Sequence, residues 1–164
     1  MKTRNELASL FRGVGAELGV AGGAFSCVIA NHCSVLYSID RWSDHHDLKE
    51  YFQALNKISA ASQKGGARTV VIRSLFSEAV TLFQENYFDF LYIDGYAHGG
   101  QENGKTLYDW WPKLKPGGIL AGHDYHPRFQ PTIDVVDNFV CHYSLQLQLT
   151  IHDTFPSWWV QKPI

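Results

Sequence analysis

Along the 164 residues, short apolar runs alternate with segments whose apolar positions recur every three to four residues. "VGAEL" (14–18) predicts a strand and residues 22–33 a helix; "SVLYSID" (34–40) predicts a second strand, and "DLKEYFQALNKISAAS" (47–62) a second helix. "ARTVVI" (67–72) continues as a strand and "SEAVTLFQEN" (77–86) as a helix. "FDFLYID" (88–94) and "GGILAGHD" (117–124) predict further strands, with the amphipathic "KTLYDWWPKL" (105–114) between them. A helix at 131–143 and strands at "LQLQLTIHD" (145–153) and "SWWVQK" (157–162) close the pattern. Such alternation implies parallel strands joined by right-handed crossovers, with helices on both faces. The final connection, which includes Pro156, is too short for a crossover, so the last two strands should form an antiparallel hairpin. The expected fold is α/β: a Rossmann-like, doubly wound sheet of about seven strands, mostly parallel, with a C-terminal antiparallel hairpin. Residues 1–164 read as one domain, with no repeat or linker.

In sheets of this kind ligands bind beyond the carboxyl ends of the strands, where strand order reverses. Polar residues at predicted strand ends are Glu17, Asp40, Arg73 with Ser74, Asp94, and His123 with Asp124. The glycines of "AELGVAGGAFSCVIA" (16–30) imply a close approach to the chain at Gly19, Gly22 and Gly23. A dinucleotide fingerprint starting at Gly19 would need glycine at Ala21 and Ala24, and both fail. No Walker lysine is present either, because "GKT" at 104–106 lacks the upstream glycine loop. Glu17 would repel a pyrophosphate and attract an ammonium group, while the N-terminus of the next helix would attract a carboxylate. Asp40, 21 positions after Gly19, is placed to accept hydrogen bonds from ribose hydroxyls. S-adenosylmethionine carries an ammonium, a carboxylate and a ribose, and no phosphate.

Charge and composition narrow the partners. A formal net charge of −2, without a basic stripe, gives no electrostatic case for nucleic acid or an anionic membrane. No apolar stretch approaches the roughly 20 residues needed to span a bilayer. "MKTRNELASLFRG" is amphipathic and lacks the apolar core of a secretory signal. Cys27, Cys33 and Cys141 form no C-x-x-C pair, which fits a reducing compartment. A cytoplasmic location is the expectation.

The series "AELGVAGGAFS", "LYSIDRW", "FDFLYIDGYAH" and "WWPKLKPGGILAGHDY" resembles the class I S-adenosylmethionine-dependent methyltransferases, nearest to their compact, Methyltransferase-24-like branch. The resemblance covers roughly residues 14 to 126. It implies Glu17, Gly19, Gly23 and Ser26 around the methionine end of the cofactor, Asp94 beside it, and Asp40 on the ribose. Arg41 and Trp42 would follow along the adenosine, and Ser74 and Leu75 would line the adenine pocket. "IRSLFS" departs from the family there, lacking the glycine and acidic residue that many members carry before the later serine.

Methyl transfer is a direct displacement that needs alignment and exclusion of water, and a hydroxyl acceptor must also lose a proton. Candidate proton acceptors are His98, His123 and Asp94. Asp94, His123 and Asp124 also resemble the acidic set by which some O-methyltransferases of this fold hold a divalent cation, with a histidine in place of one acid. That donor set would suit Mn, Fe, Zn or Ni better than Mg or Ca. His45 and His46, beside two aspartates in "SDHHD", read as a solvated helix start, and His126 as part of a surface turn. The glycine-rich "GYAHGGQENG" (95–104) is placed to close over an acceptor as a flexible lid. The resulting expectation is O-methylation of a small molecule or glycan hydroxyl. The short segment before the first strand implies an open site, a lid supplied by a partner, or a homodimer. The alternative is a non-catalytic interaction subunit of the same fold. A nicotinamide dehydrogenase is disfavoured by Ala21, Ala24 and Glu17.

Overall fold

The computed structural model describes every residue except 45 and 65. A short helix α1 (Arg4–Ala8) precedes β1 (Val14–Leu18), which runs through the glycine loop into α2 (Ala24–Ala30) and β2 (Val35–Asp40). The long helix α3 (Leu48–Gln63) leads to β3 (Arg68–Arg73), and the short α4 (Phe76–Ala79) to β4 (Phe88–Ile93). After β4 come a single turn α5 (Gly100–Asn103), α6 (Lys105–Trp110) and β5 (Leu114–Gly122). Helix α7 (Gln130–His142), β6 (Gln148–Leu149) and β7 (Trp158–Gln161) finish the chain.

The strands form one sheet in the order β3-β2-β1-β4-β5-β7-β6. β1, β2, β3, β4 and β5 pair in parallel, and β7 lies antiparallel to both β5 and β6. This is the predicted architecture, including the antiparallel end. The strand pattern follows from burial on both faces. In β4, Phe90 and Tyr92 join a core layer with Leu7, Phe11, Phe25 and Ile29, while Leu91 and Ile93 join the opposite layer with Leu107, Trp110 and Phe139. Because side chains alternate sides along a strand, a strand covered twice must be apolar throughout.

Helices α3 and α7 have the expected lengths, whereas two others are shorter than the periodicity predicts. The helix expected over 22–33 starts only at Ala24, because Gly23 caps it in the left-handed region (φ +75°). The helix expected over 77–86 gives way after Ala79 to a turn of 3-10 helix. The strand expected over 145–153 is only Gln148–Leu149; beyond it the backbone leaves the sheet, and the N–H groups of Ile151 and His152 donate to the carbonyl of Lys2 (3.2 and 2.8 Å). Helix α3 begins where Asp47 accepts a hydrogen bond from the Glu50 N–H (2.9 Å), an N-cap.

The glycine loop is shaped first by the protein's own packing. Gly19 has φ +96°, and a Cβ there would stand 2.4 Å from the carbonyl oxygen of Asp94. A Cβ at Gly23 would meet Ala54 of α3 at 3.0 Å. At Gly22 the nearest atoms, on Gln53 and Lys57, are 3.8 Å away, so of the three loop glycines this one would accept a Cβ in ordinary contact. The protein itself makes a close approach at Gly19, from the residues just past β4, and at Gly23, from α3. Gly19→Ala should lower the free energy of unfolding by about 2–4 kcal/mol in urea titrations, through left-handed strain plus a backbone clash. Gly22→Ala should stay within about 1 kcal/mol of the native protein. Equal losses for the two variants would contradict this reading.

Candidate functional site

Backbone hydrogen bonds carry the parallel ladder one residue beyond the strand ends. Gly19 N–H donates to Ile39 O (2.9 Å), Asp94 N–H to Leu18 O (2.7 Å), and His123 N–H to Ile93 O (3.0 Å). The resulting stagger sets Glu17, Asp40 and Asp94 around one cleft of about 770 Å³, at the reversal of strand order between β1 and β4. That volume lies in the roughly 300–1,000 Å³ range of small-molecule sites. Arg4, Gly19, Gly22, Phe76 and His98 contribute to its wall.

The three acids differ in how they are held. Asp40 is 8 % exposed. Its Oδ2 accepts from the N–H groups of Val20 (2.8 Å) and Ala21 (3.0 Å), and its Oδ1 from Trp42 N–H (2.9 Å). It thus pins the glycine loop to the end of β2 and keeps one acceptor site, on Oδ1, uncommitted. Glu17 is 1 % exposed, and Ser26 on α2 reaches back to donate its hydroxyl hydrogen to the carboxylate. Burial pushes the Glu17 carboxyl up to about 8; the Ser26 hydrogen bond opposes this, the nearby Asp94 adds to it, and Arg4 opposes it. Asp94 is met by the Arg4 guanidinium, whose Nη1 donates to Oδ2 at 2.9 Å.

Beside Asp94 stand His123 and Asp124, just past the end of β5. The His123 Nδ1 lies 3.0 Å from Asp124 Oδ1 and 3.5 Å from Asp94 Oδ1. Burial disfavours the imidazolium, but the hydrogen bonds to Asp124 and Asp94 outweigh it and push His123 up to about 9. Among the described residues, Asp94, His123 and Asp124 are the group with metal-ligating atoms all within 4.8 Å of one another. As arranged it does not fit a divalent ion. One Asp94 oxygen is occupied by the Arg4 guanidinium, and His123, with its Nδ1 facing two carboxylates, would have to release a proton before it could ligate.

The remaining expected residues divide between the cleft wall and its surroundings. Trp42 is 1 % exposed and packs with Val20, Ala54 and Ile58, its indole N–H donating to Ala21 O (2.9 Å). It buttresses the loop from below and does not face the cleft. Ser74 and Leu75 do not line the cleft; Phe76, one residue later, does. Arg41 lines it and is ion-paired with Asp44. His98 is exposed on the cleft wall with its ring edge-to-face against Phe129 (5.2 Å between centroids). His46, expected to be solvated, lines the cleft and pairs with Glu50, and His45 lies outside the described residues. His126 caps a 3-10 turn, its Nδ1 accepting from Arg128 N–H (3.1 Å).

The stretch 95–104 is packed, contrary to the expectation of a flexible lid. Thr132 on α7 donates its hydroxyl to Ala97 O (2.9 Å), and a Cβ at Gly100 would stand 2.4 Å from Pro131 O. Residues 100–103 wind left-handed, with φ of +55° to +56°. This segment is a wall of the cleft leaning on α7. Arg4 and Phe76 are among the lining residues that sequence reasoning missed, as are Phe25 and Tyr96. Phe76 follows the segment expected to hold an adenine, but nothing in the spacing of Arg4 relates it to the strand ends.

A family model described as a methyltransferase domain matches residues 16–125. No curated protein sequence matches the chain. Among solved structures, a Streptococcus mutans protein in complex with S-adenosylhomocysteine superposes with a TM-score of 0.73 at 14 % identity, covering 99 % of both chains. An O-methyltransferase from Bacillus cereus, also with S-adenosylhomocysteine, gives 0.70 at 16 % identity, covering 99 % of this chain and 82 % of that one. The N-methyltransferase NodS from Bradyrhizobium japonicum gives 0.69 at 17 % identity, covering 98 % and 93 %. At these identities the likeness is one of fold. No helix among the described residues is long and apolar enough to cross a membrane.

The buried carboxyl of Glu17 makes stability depend on pH. Its folded value of about 8 exceeds the ordinary 4.5, so between these limits the folded chain binds more protons than the unfolded one. His123, raised from 6.5 to about 9, acts with the same sign, its contribution being present below 6.5 and lost as pH rises through 9. The melting temperature of the ligand-free protein should therefore fall as pH rises from about 5 to 8. Glu17→Gln should flatten the slope below pH 6.5, where Glu17 alone of the two titrates. An unchanged slope in that variant would contradict the assignment.

Proposed function

The chain belongs to the methyltransferase-domain family, and from that premise we propose that it transfers the methyl group of S-adenosylmethionine to a hydroxyl oxygen of a small molecule or glycan. The observation that carries this reading is the convergence of Glu17, Asp40 and Asp94 on one cleft at the sheet's switch point. Both arginines on the cleft wall are paired with carboxylates, Arg4 with Asp94 and Arg41 with Asp44, which leaves a diphosphate poorly matched. A ligand with an ammonium and ribose hydroxyls matches the acids, and Gly22 gives it room. The complexes of similar folds with S-adenosylhomocysteine support the same cofactor.

The cofactor, when bound, supplies an electrophilic methyl on a positively charged sulfur. Asp40 would accept a hydrogen bond from a ribose hydroxyl on the Oδ1 lone pair that the three backbone N–H groups leave free. Glu17 would meet the ammonium and give up its proton as the positive charge arrives. The proton of the acceptor hydroxyl passes to His98, which stands on the cleft wall, whereas the Nδ1 of His123 is already committed to two carboxylates. Asp94 and Phe76 bound the space where the acceptor would approach. Having a proton acceptor at this position favours a hydroxyl over an amine, which is nucleophilic once neutral.

Titration calorimetry with S-adenosylhomocysteine and with NAD, followed by a panel of phenolic, sugar and amine acceptors, tests the proposal. Binding of the first ligand only, with methylation of a hydroxyl acceptor, is expected. His98→Ala should reduce kcat by about 10²–10⁴-fold while leaving affinity for S-adenosylhomocysteine within about twofold. Undiminished turnover in that variant would remove His98 as the base. Methylation of amines alone would overturn the acceptor class. Cofactor binding with no turnover across the panel would favour an interaction subunit.

A further inference from the structure

Arg4 is held at both ends. Its backbone N–H donates to Asp153 Oδ2 (2.7 Å) in the connection between β6 and β7, and Lys2, two residues earlier, accepts two backbone N–H groups from the same connection. Leu7 and Ala8 of α1 are buried in the core layer that holds Phe25 and Tyr92. From this base the side chain crosses the Phe25 ring, with Cζ 4.3 Å from its centroid, and ends on Asp94 Oδ2 at 2.9 Å. The guanidinium side chain is 30 % exposed. This is an anchored cation, unlike a surface arginine free to swing aside.

A divalent ion bound by Asp94, His123 and Asp124 would need an Asp94 oxygen as ligand and would stand against that guanidinium. Arg4 and the ion are like charges competing for one carboxylate, in a partly buried setting where screening is weak. We propose that Arg4 is the resident cation of this site: seated on Asp94, it fixes that carboxylate and keeps divalent metals out of the Asp94–His123–Asp124 group. Arg4 is thus a positioning residue acting through Asp94. The inference holds whichever acceptor is methylated, because its test reads metal binding and not turnover.

The experiment titrates Mn²⁺ alone into the full chain, following loss of the free-ion electron paramagnetic resonance signal. The native protein should show no uptake that depends on Asp94. Arg4→Met keeps an apolar stem over Phe25 and removes the charge; it should gain Mn²⁺ affinity by at least about tenfold. Adding Asp124→Asn to that variant should abolish the gain, whereas Arg4→Lys should exclude the ion as the native chain does. Asp153→Ala frees the base of the arm without touching the guanidinium, and should raise Mn²⁺ affinity part of the way, which keeps the test open if Arg4→Met does not fold. Mn²⁺ uptake by the native chain that Asp94→Asn removes would overturn the proposal, since metal and Arg4 would then coexist. Failure of both Arg4→Met and Asp153→Ala to gain binding would also overturn it.

Discussion

Parallel strands that end together bring their terminal side chains together, and here three of those side chains are acids. Glu17, Asp40 and Asp94 share one cleft, two of them almost wholly buried, and their mutual repulsion has to be met before the sheet can close. Each is met differently. Asp40 spends its charge on three backbone N–H groups and in doing so shapes the glycine loop. Asp94 takes a guanidinium from the N-terminal helix. Glu17 has Ser26 for a hydrogen-bond partner and Arg4 only at a distance, and it responds by holding its proton. A protonated acid on the cleft wall would give up its proton more readily if a positive charge came beside it.

The same arrangement explains the glycines. Gly19 and Gly23 allow the loop to pass tightly over β4 and α3, and Trp42 supports it from beneath. Support from three sides leaves Gly22 as the one loop glycine that a Cβ would not crowd. The segment after β4 likewise gains its place by leaning on α7, and it presents His98 to the cleft from a braced position.

Much of this was legible in the chain. Strands buried on both faces are near-continuous apolar runs, so β1, β2, β3 and β4 fall within a residue of the expected limits, and the acids at their ends followed directly. Local periodicity misjudged α2, α4 and β6, whose ends are set by a left-handed glycine, a switch to 3-10 helix and a tie to the N-terminus. The position of Trp42 was misjudged because an aromatic after a strand-end acid reads equally well as a ligand platform and as core. Arg4 was invisible for a stronger reason. Its partner is 90 positions away, and its placement depends on Asp153 at the far end of the chain, so no local pattern encodes the contact.

The central claim is that Glu17 waits protonated for a ligand's ammonium group. Calorimetry of S-adenosylhomocysteine binding near pH 7, repeated in buffers of different ionisation enthalpy, measures the protons exchanged on binding. The account predicts release of a substantial fraction of one proton in the native protein, and a release smaller by that fraction in Glu17→Gln. Proton exchange identical in the two proteins would contradict it.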